Sequence, residues 1–290
     1  MSRVPTAIAS RRSHRGTLLL LAGPVLAFYV VALVLPVGDL FERSLDVPGE
    51  SGRSLENFRG FFGDEFYREG LITTVRLAGF ATAILLVLAF PIAYFLYSSE
   101  SQRARNVVVL MILSPLMVSG VARVQGWSLI FTPGTGLAAR IPGLRHLDLY
   151  LTETAVLIGF VHFFLPFMVL SIYSALTRID RSTVLAARSL GAGRYRLARD
   201  VIVPLAAPGA LVGATITFAM AGTAVSTPVL LGGTSVRTMG SFLYRAYLVF
   251  RDYELGSAIS VILLAMTTVV VVGLGRLITR RTAHVSGASQ

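Results

Sequence analysis

Lysine and cysteine are both absent from this chain of 290 residues, so all of its 26 basic residues are arginine. The absence of lysine excludes a phosphate-loop lysine and Schiff-base chemistry within the chain. The absence of cysteine excludes disulfides, thiolate nucleophiles and cysteine-ligated metals. The sequence therefore predicts a non-catalytic chain, and it predicts no metal site because the histidines lack ligand spacing: His14, His146, His162 and His284.

Charge is also scarce, and the apolar residues come in blocks. The chain is 54% hydrophobic and 14% charged. About 20 apolar residues cross the hydrocarbon core as a helix, whereas a water-soluble bundle would carry polar faces at helical period and a signal peptide has a shorter apolar core. The blocks predict an all-α membrane protein with six transmembrane helices, at 17–37, 71–97, 107–131, 155–176, 207–231 and 255–274.

The distribution of arginine predicts which side each loop faces. The tail 1–16 has four arginines and no acid, and loop 177–206 has six arginines against two aspartates, so both are expected in the cytoplasm. Segment 38–70 has eight acids against four arginines and is expected in the periplasm. The chain is thus predicted to be a multi-pass protein of a bacterial inner membrane with both termini cytoplasmic, the second being tail 279–290. The net charge of +11 follows from these topology signals and does not require nucleic acid.

Loop 177–206 has the pattern of a helix, a turn and a second helix, which we call the elbow. Asp180 or Ser182 can cap the first helix, and Gly191 and Gly193 suit the turn. Pro204 and Pro208 are expected to end the second helix before the fifth span. The small residues near the turn suit insertion into a groove on another protein, although an ordinary basic loop that only anchors topology has the same charge.

The elbow also resembles a known signature. LAARSLGA (185–192) followed by IVPLAAPG (202–209) is similar to the cytoplasmic motif of binding-protein-dependent ABC importer permeases. LSPLMVSGVARVQGW (113–127) and STPVLLGG (226–233) resemble the polyamine branch, the first permease of spermidine/putrescine-type systems, within a likeness over 71–278. The resemblance implies a type I (MetI-like) permease core over 71–278 and assigns ATPase coupling to Leu185, Ala186, Ala187, Arg188, Leu190, Gly191, Ala192 and Pro204.

The resemblance implies several partners, and the sequence departs from the family motif at one position. The family's signature glutamate is replaced by Leu185, so any ion pair made by that glutamate is lost here. The implied partners are a cytoplasmic ABC ATPase dimer that binds ATP and Mg, a second permease subunit and a periplasmic solute-binding protein, within membrane lipid. No cofactor is expected in this chain itself.

Charged and kinked positions inside the spans are candidates for the solute path, because charge in the hydrocarbon is costly. Arg76 is interpreted as snorkelling to the interface and His162 as a packing residue. Gly209 and Gly213 predict a close helix contact. Four prolines interrupt apolar spans and suit hinge points or a cavity wall, although a proline in a span can also produce only a kink: Pro91, Pro115, Pro166 and Pro228. The path candidates are Arg123, Gln125, Trp127, Glu153 and Pro228.

The sequence thus predicts a permease subunit of an ATP-driven importer that is not itself an enzyme. Resemblance alone indicates a polyamine-like solute or another small organic solute, whereas the basic residues within the spans favour an anionic or zwitterionic one. A secondary transporter or channel is the alternative, although it would show inverted repeats and intramembrane ionisable residues. A membrane scaffold without transport activity is the third reading.

Overall fold

The computed structural model describes residues 11–46, 52–141 and 149–286, and in these ranges the chain is helical with no β-strand. Segment 54–70 forms α2 and the first turns of α3. The helices are α1 Arg11–Ser44, α2 Glu56–Gly63, α3 Glu65–Ser98, α4 Gln102–Leu113, α5 Gly120–Phe131, α6 Leu137–Arg140, α7 Glu153–Leu176, α8 Arg181–Ser189, α9 Arg194–Arg196, α10 Val203–Gly222, α11 Met239–Tyr244 and α12 Tyr253–Ser286.

Within the described ranges, five helical stretches are long and apolar enough to cross a membrane. The predicted third span, 107–131, is not one straight helix: Gln102–Met117 and Gly120–Phe131 meet at 98°. Pro115 lies in the tight turn Ser114–Met117 at the break. Counting this bent pair as one span gives the predicted six. The others are Ala22–Ser44, Glu65–Ser98, Glu153–Leu176, Leu197–Gly222 and Tyr253–Arg276.

The expectation that Pro204 and Pro208 end a helix is wrong. The stretch Leu197–Ile202 is π-helical and joins α9 to α10 without interruption, and the Val203 amide donates to the Ala198 carbonyl five residues back. A proline lacks a donor and clashes with the carbonyl four residues before it. The π-helical turn lies just before Pro204 and is wider than an α-helical turn. It therefore separates the backbone at the position where the proline ring would otherwise clash.

The fifth span is consequently displaced from its predicted position, 207–231. Its helix ends at Gly222, and residues Pro228–Gly232 form a separate π-helical turn around the buried Pro228. Pro91 and Pro166, for which a kink was the alternative to a break, lie inside the continuous helices α3 and α7. Only two of the four prolines therefore mark a break.

The core is a packed trio of helices, α3, α7 and α10. Small residues let α10 approach α7 closely: a Cβ added to Gly209 would lie 2.4 Å from the Ala175 Cβ and 2.7 Å from the Ser171 carbonyl oxygen. A Cβ at Gly213 would lie 2.7 Å from the Met168 sulfur. The predicted small-residue contact is confirmed, and it uses the van der Waals packing on which helix association in lipid depends.

The remaining helices flank this trio. An apolar cluster of α2, α11 and α12 centres on Phe61, Met239 and Ile259. The backbone amide of Met239 donates to the Thr74 hydroxyl at 2.9 Å, which ties α11 to α3. α1 packs along α12, and its apolar side chains between Val25 and Leu35 are exposed, as expected for a lipid-facing helix.

The Gly209 contact gives a stability prediction. Gly209→Ala is expected to lower the free energy of unfolding by about 1–3 kcal/mol, because the new methyl overpacks against backbone that cannot move freely. Gly79→Ala is the matched control, since nothing lies within 4 Å of a Cβ added there. Thermal denaturation of the two variants in detergent tests this; equal melting temperatures would contradict the packing argument.

Candidate functional site

The first helix of the elbow, α8, is capped at its start by Asp180. The Ser182 backbone amide donates to Asp180 Oδ1 at 2.9 Å, as predicted for one of the two candidate caps. This hydrogen bond, with a second one from the Ser182 side chain, lowers the pKa of Asp180 below its ordinary value. The carboxylate therefore stays charged at the helix N-terminus, where the helix dipole favours a negative group.

The end of α8 is closed by a Schellman turn. The Gly191 amide donates to the Arg188 carbonyl at 2.9 Å and the Ala192 amide to the Ala187 carbonyl at 3.1 Å. Gly191 has φ +81°, the left-handed conformation that this turn requires and that glycine adopts without strain. The predicted turn is thus confirmed at Gly191, while Gly193 does not take a positive φ.

The two faces of α8 have different environments. Val184 and Ala187 pack on the core cluster that contains Leu197 and Ile202, so the helix is held against the root of α10. The opposite face presents Leu185, 60% exposed, and the tip presents Leu190, 89% exposed. Sequence analysis missed Tyr195, which is 74% exposed just beyond the turn.

Not every predicted coupling residue lies on this helix and its turn. Ala186 and Arg188 are exposed on α8, and Ala192 is partly buried behind the tip. Pro204 lies instead in the first turn of α10, within the continuous helix that begins at α9. Pro204 therefore lies at the base of the elbow and not at its tip.

Arg123, the leading path candidate, lies on α5 with its guanidinium carbon 4.0 Å from the centroid of the Phe163 ring. Its Nε and Nη1 atoms are buried and have no hydrogen-bond partner within the described ranges. The aromatic face attracts the cation but leaves these donors unused. Phe163 could not be identified as a candidate from the sequence, because it is one of several aromatic residues in the same stretch.

Phe163 also lines a cavity of about 410 Å³, which we call the Phe163 cavity; Arg123 itself is not among its lining residues. It lies between the start of α5, the middle of α7 and the segment that follows α10. Its wall includes three hydroxyl residues that the sequence did not flag, Thr223, Ser226 and Thr227, and the last of these directly precedes the candidate Pro228. The broken helices at Pro115 and Pro228 therefore border one space.

Glu153 does not line the cavity next to Phe163 but a second cavity. It accepts a hydrogen bond from Arg76 at 2.5 Å, which gives Arg76 a partner that the snorkelling interpretation did not include. Both side chains line a polar cavity of about 420 Å³ with Glu69 and Arg237, which pair at 2.7 Å. We call this the ion-pair cavity. Its charges come from residues far apart in sequence, which explains why the pairs could not be predicted.

The last two path candidates differ in environment. The Trp127 indole donates to His162 Nδ1 at 3.2 Å and stacks on Phe131. His162 therefore acts as a packing residue and acceptor, consistent with its interpretation. Gln125 is exposed on α5 and lines neither cavity.

Comparison with known families and sequences identifies relatives along most of the chain. The model of the family described as "binding-protein-dependent transport system inner membrane component" matches residues 51–284. The spermidine/putrescine transport system permease protein of Haemophilus influenzae is 28% identical over 79% of this chain and 82% of its own length. A probable molybdenum ABC transporter permease protein of Haloferax volcanii is 33% identical over 71% of this chain and 70% of its own.

Solved structures share the fold at lower identity. A chain of the bacterial ABC transporter involved in import of the acidic polysaccharide alginate superposes with a TM-score of 0.79 at 16% identity, covering 92% of this chain and 96% of that one. A chain of the inward-facing MetNI methionine ABC transporter gives 0.61 at 17% identity, covering 74% and 96%. These likenesses establish the MetI-type helical architecture.

The capping of α8 makes a testable prediction. Asp180→Ala is expected to make the first-turn amides of α8 exchange hydrogen several-fold faster, whereas Asp180→Asn retains a capping oxygen and changes little. Because the pKa of Asp180 is lowered in the fold, the cap is complete at neutral pH. It is expected to be lost only as the pH falls below the ordinary aspartate range.

Hydrogen exchange of residues 181–190, followed by mass spectrometry at several pH values, makes the comparison. Equal exchange in both variants would show that this carboxylate does not hold the helix.

Proposed function

The chain belongs to the binding-protein-dependent transport system inner membrane components, and from this premise we propose that its elbow couples a separate ATPase to solute movement. The chain is a multi-pass ABC importer permease subunit. The observation that carries the coupling role is α8 itself, a short helix closed at both ends by specific hydrogen bonds. In this proposal, displacement of the tip of α8 moves the helices against which α8 packs.

The tip of α8 has the chemistry of a docking surface. Leu185 and Leu190 are large apolar side chains in an arginine-rich loop, and both are exposed. Exposed apolar residues rimmed by polar ones are typical of protein contacts. Since the chain contains no lysine, it lacks a phosphate-loop lysine of its own. The energy is expected to come from ATP and Mg bound by a cytoplasmic ATPase dimer, with no reaction in this chain.

The replacement of the signature glutamate changes how the tip would dock. Leu185 contributes apolar area where the family motif offers a carboxylate. We propose that docking here relies on apolar burial and that the interface tolerates salt better than an ion-paired one, because salt screens exposed charges but not apolar contacts.

The rest of the assembly follows from the family and the charge pattern. The arginine-rich elbow is proposed to face the cytoplasm together with both termini. The large apolar surface left exposed by the described helices is proposed to meet lipid and a second permease subunit. An external solute-binding protein would deliver the solute at the opposite face, on the side of the ion-pair cavity.

The solute has two candidate classes. The names of the spermidine/putrescine relatives favour a polyamine-like solute. A second candidate is an anionic or zwitterionic organic solute, because no acid occurs in residues 70–99, 101–147, 154–179 or 201–251. A polycation would find no carboxylate of this chain in those stretches, whereas Arg123 lies within one of them.

The coupling role is tested with a matched pair of glycine variants. Gly191→Val is expected to strain the left-handed turn by about 1–2 kcal/mol or more, and thereby to reduce the ATPase that co-elutes with tagged chain from detergent extracts. Gly193→Val is the control, since Gly193 lacks a positive φ and no atom lies within 4 Å of its added Cβ. ATPase activity in the eluate is the readout.

Absence of co-eluting ATPase with the unaltered chain would contradict the coupling role. Solute uptake by the chain alone in liposomes would instead support a secondary transporter or channel.

The apolar docking proposal is tested at Leu190. Leu190→Ser is expected to weaken ATPase association about tenfold or more, since burying a leucine contributes about 1.5–3 kcal/mol. Association of the unaltered chain is expected to survive a wash in high salt. Ser189→Ala, one residue away on the same exposed turn, is the control. Release of the ATPase by salt alone would instead indicate a contact between charges.

A further inference from the structure

A cavity of about 700 Å³ lies where the elbow joins the membrane-spanning helices, and we call it the elbow-root cavity. Its wall comes from three elements: Ser174 lies on α7, Thr183 on α8 and Val212 on α10. The volume is within the range of pockets that hold small molecules. None of the residues predicted for coupling or for the solute path lines this cavity.

The two walls formed by α7 and α10 are fixed against each other. Gly209 packs so closely on α7 that an added Cβ would lie 2.4 Å from the Ala175 Cβ and 2.7 Å from the Ser171 carbonyl oxygen. All three residues line the cavity. Close-packed contacts of this kind are barely compressible. A change in the width of the cavity is therefore expected to come from its third wall.

The third wall, α8, is held less firmly. Over 182–189 no side chain of this helix is fully buried, and Val184 and Ala187 are the two that are partly buried against the core cluster. An element with few buried apolar contacts moves at a low cost in free energy. This short helix carries Thr183 at the cavity and the exposed Leu185 at the proposed ATPase contact. Displacement of α8 by the ATPase would therefore change the cavity directly.

The elbow-root cavity and the Phe163 cavity lie along the same side of the α7 and α10 pair. On α7, Phe164 lines the Phe163 cavity and Ser171 lines the elbow-root cavity. They are about two helical turns apart and so share a face. On α10, Met220 and Gly209 line the same two cavities and are about three turns apart. The two cavities thus follow one another towards the elbow.

The wall of the elbow-root cavity becomes polar towards the elbow. Leu170 and Val212 line it within the spans, whereas Ser174, Arg178 and Asp180 line it near the elbow. Ionisable side chains at the edge of a membrane protein are typical of a water-filled opening. A groove for lipid chains would need no hydroxyl and no charge of either sign along its wall. This end of the cavity therefore suits water and a small polar solute.

We propose that the elbow-root cavity is the cytoplasmic mouth of the solute path and that α8 is its movable wall. The helix that contacts the ATPase thereby opens and closes the exit itself, as a small shift of one element against a rigid pair. This inference rests on the proposed coupling function of the elbow. It goes beyond that function, because a helix that serves only for docking does not need to line a cavity.

The absence of cysteine makes the mouth accessible to a labelling test. Ser174→Cys places the only thiol of this chain on the cavity wall. The complex with the ATPase is placed in lipid nanodiscs, and the chain is labelled with a sulfonate-bearing maleimide that does not enter lipid. The structure shows the mouth open, so trapping the ATPase with Mg, ATP and vanadate is expected to slow labelling about tenfold, since labelling follows the open fraction.

Ser98→Cys is the matched control, because Ser98 is exposed at the end of α3 and does not line the cavity. Its labelling rate is expected to be the same with and without trapping. A rate at Ser174→Cys that trapping does not lower, or an equal fall at Ser98→Cys, would overturn the proposal.

The role of α8 as the wall is tested by adding Thr183→Trp to Ser174→Cys. The indole is expected to narrow the mouth and to slow labelling several-fold without nucleotide. Ser182→Trp is the control, since Ser182 does not line the cavity and the change keeps the backbone amide that binds Asp180. Equal labelling rates with both tryptophans would show that α8 does not bound the mouth.

A lipid-soluble phenylmaleimide distinguishes water from lipid in the cavity. Without nucleotide, the sulfonate reagent is expected to label Ser174→Cys at a rate comparable to Ser98→Cys. Labelling by phenylmaleimide alone, or by neither reagent, would overturn the proposal, because lipid or the second permease subunit would then fill the cavity. Co-elution of the ATPase with each variant verifies assembly. Its absence with the unaltered chain would refute the proposed function, whereas unchanged labelling in an intact complex would refute only the movable mouth.

Discussion

The close contact between α7 and α10 is the constraint on which both functional regions depend. Gly209 and Gly213 bring the α10 backbone against Ser171 and Ala175 with no room for a side chain. In lipid, where burial of apolar surface gives little advantage, such contacts are a main source of helix association. The elbow connects these two helices at one end, and the Phe163 cavity lies against both of them further along. The elbow and this cavity are therefore joined by a tightly packed pair of helices.

The breaks in the helices are the second organising feature. Backbone groups inside a membrane need partners, so irregular segments occur where protein or a polar cavity surrounds them. The bend before α5 and the turn around Pro228 meet this condition at the same cavity. Pro91 and Pro166, by contrast, are accommodated in continuous helices. A proline in a span thus allows a break but does not by itself cause one. The neighbouring helices determine whether a break forms.

The relatives share the architecture over a wide range of identity, from 33% for a probable molybdenum permease to 16% for a chain of the alginate transporter. A shared fold does not carry over the solute, because recognition resides in particular side chains. The wall of the Phe163 cavity carries hydroxyl groups and no acidic side chain. Any preference for a solute class would come from such side chains rather than from the fold.

The sequence by itself determined the class of protein, the approximate place of the spans and the ends of α8. Each of these depends on composition or on neighbouring residues: apolar length gives a span, Asp180 caps its own helix and Gly191 closes it. Only the tertiary structure decided that the helix runs through Pro204 to Gly222, that Arg76 pairs with Glu153 across 77 positions of sequence, and that Arg123 lies against the Phe163 ring. Those outcomes depend on which helices lie side by side, and no local pattern contains that information.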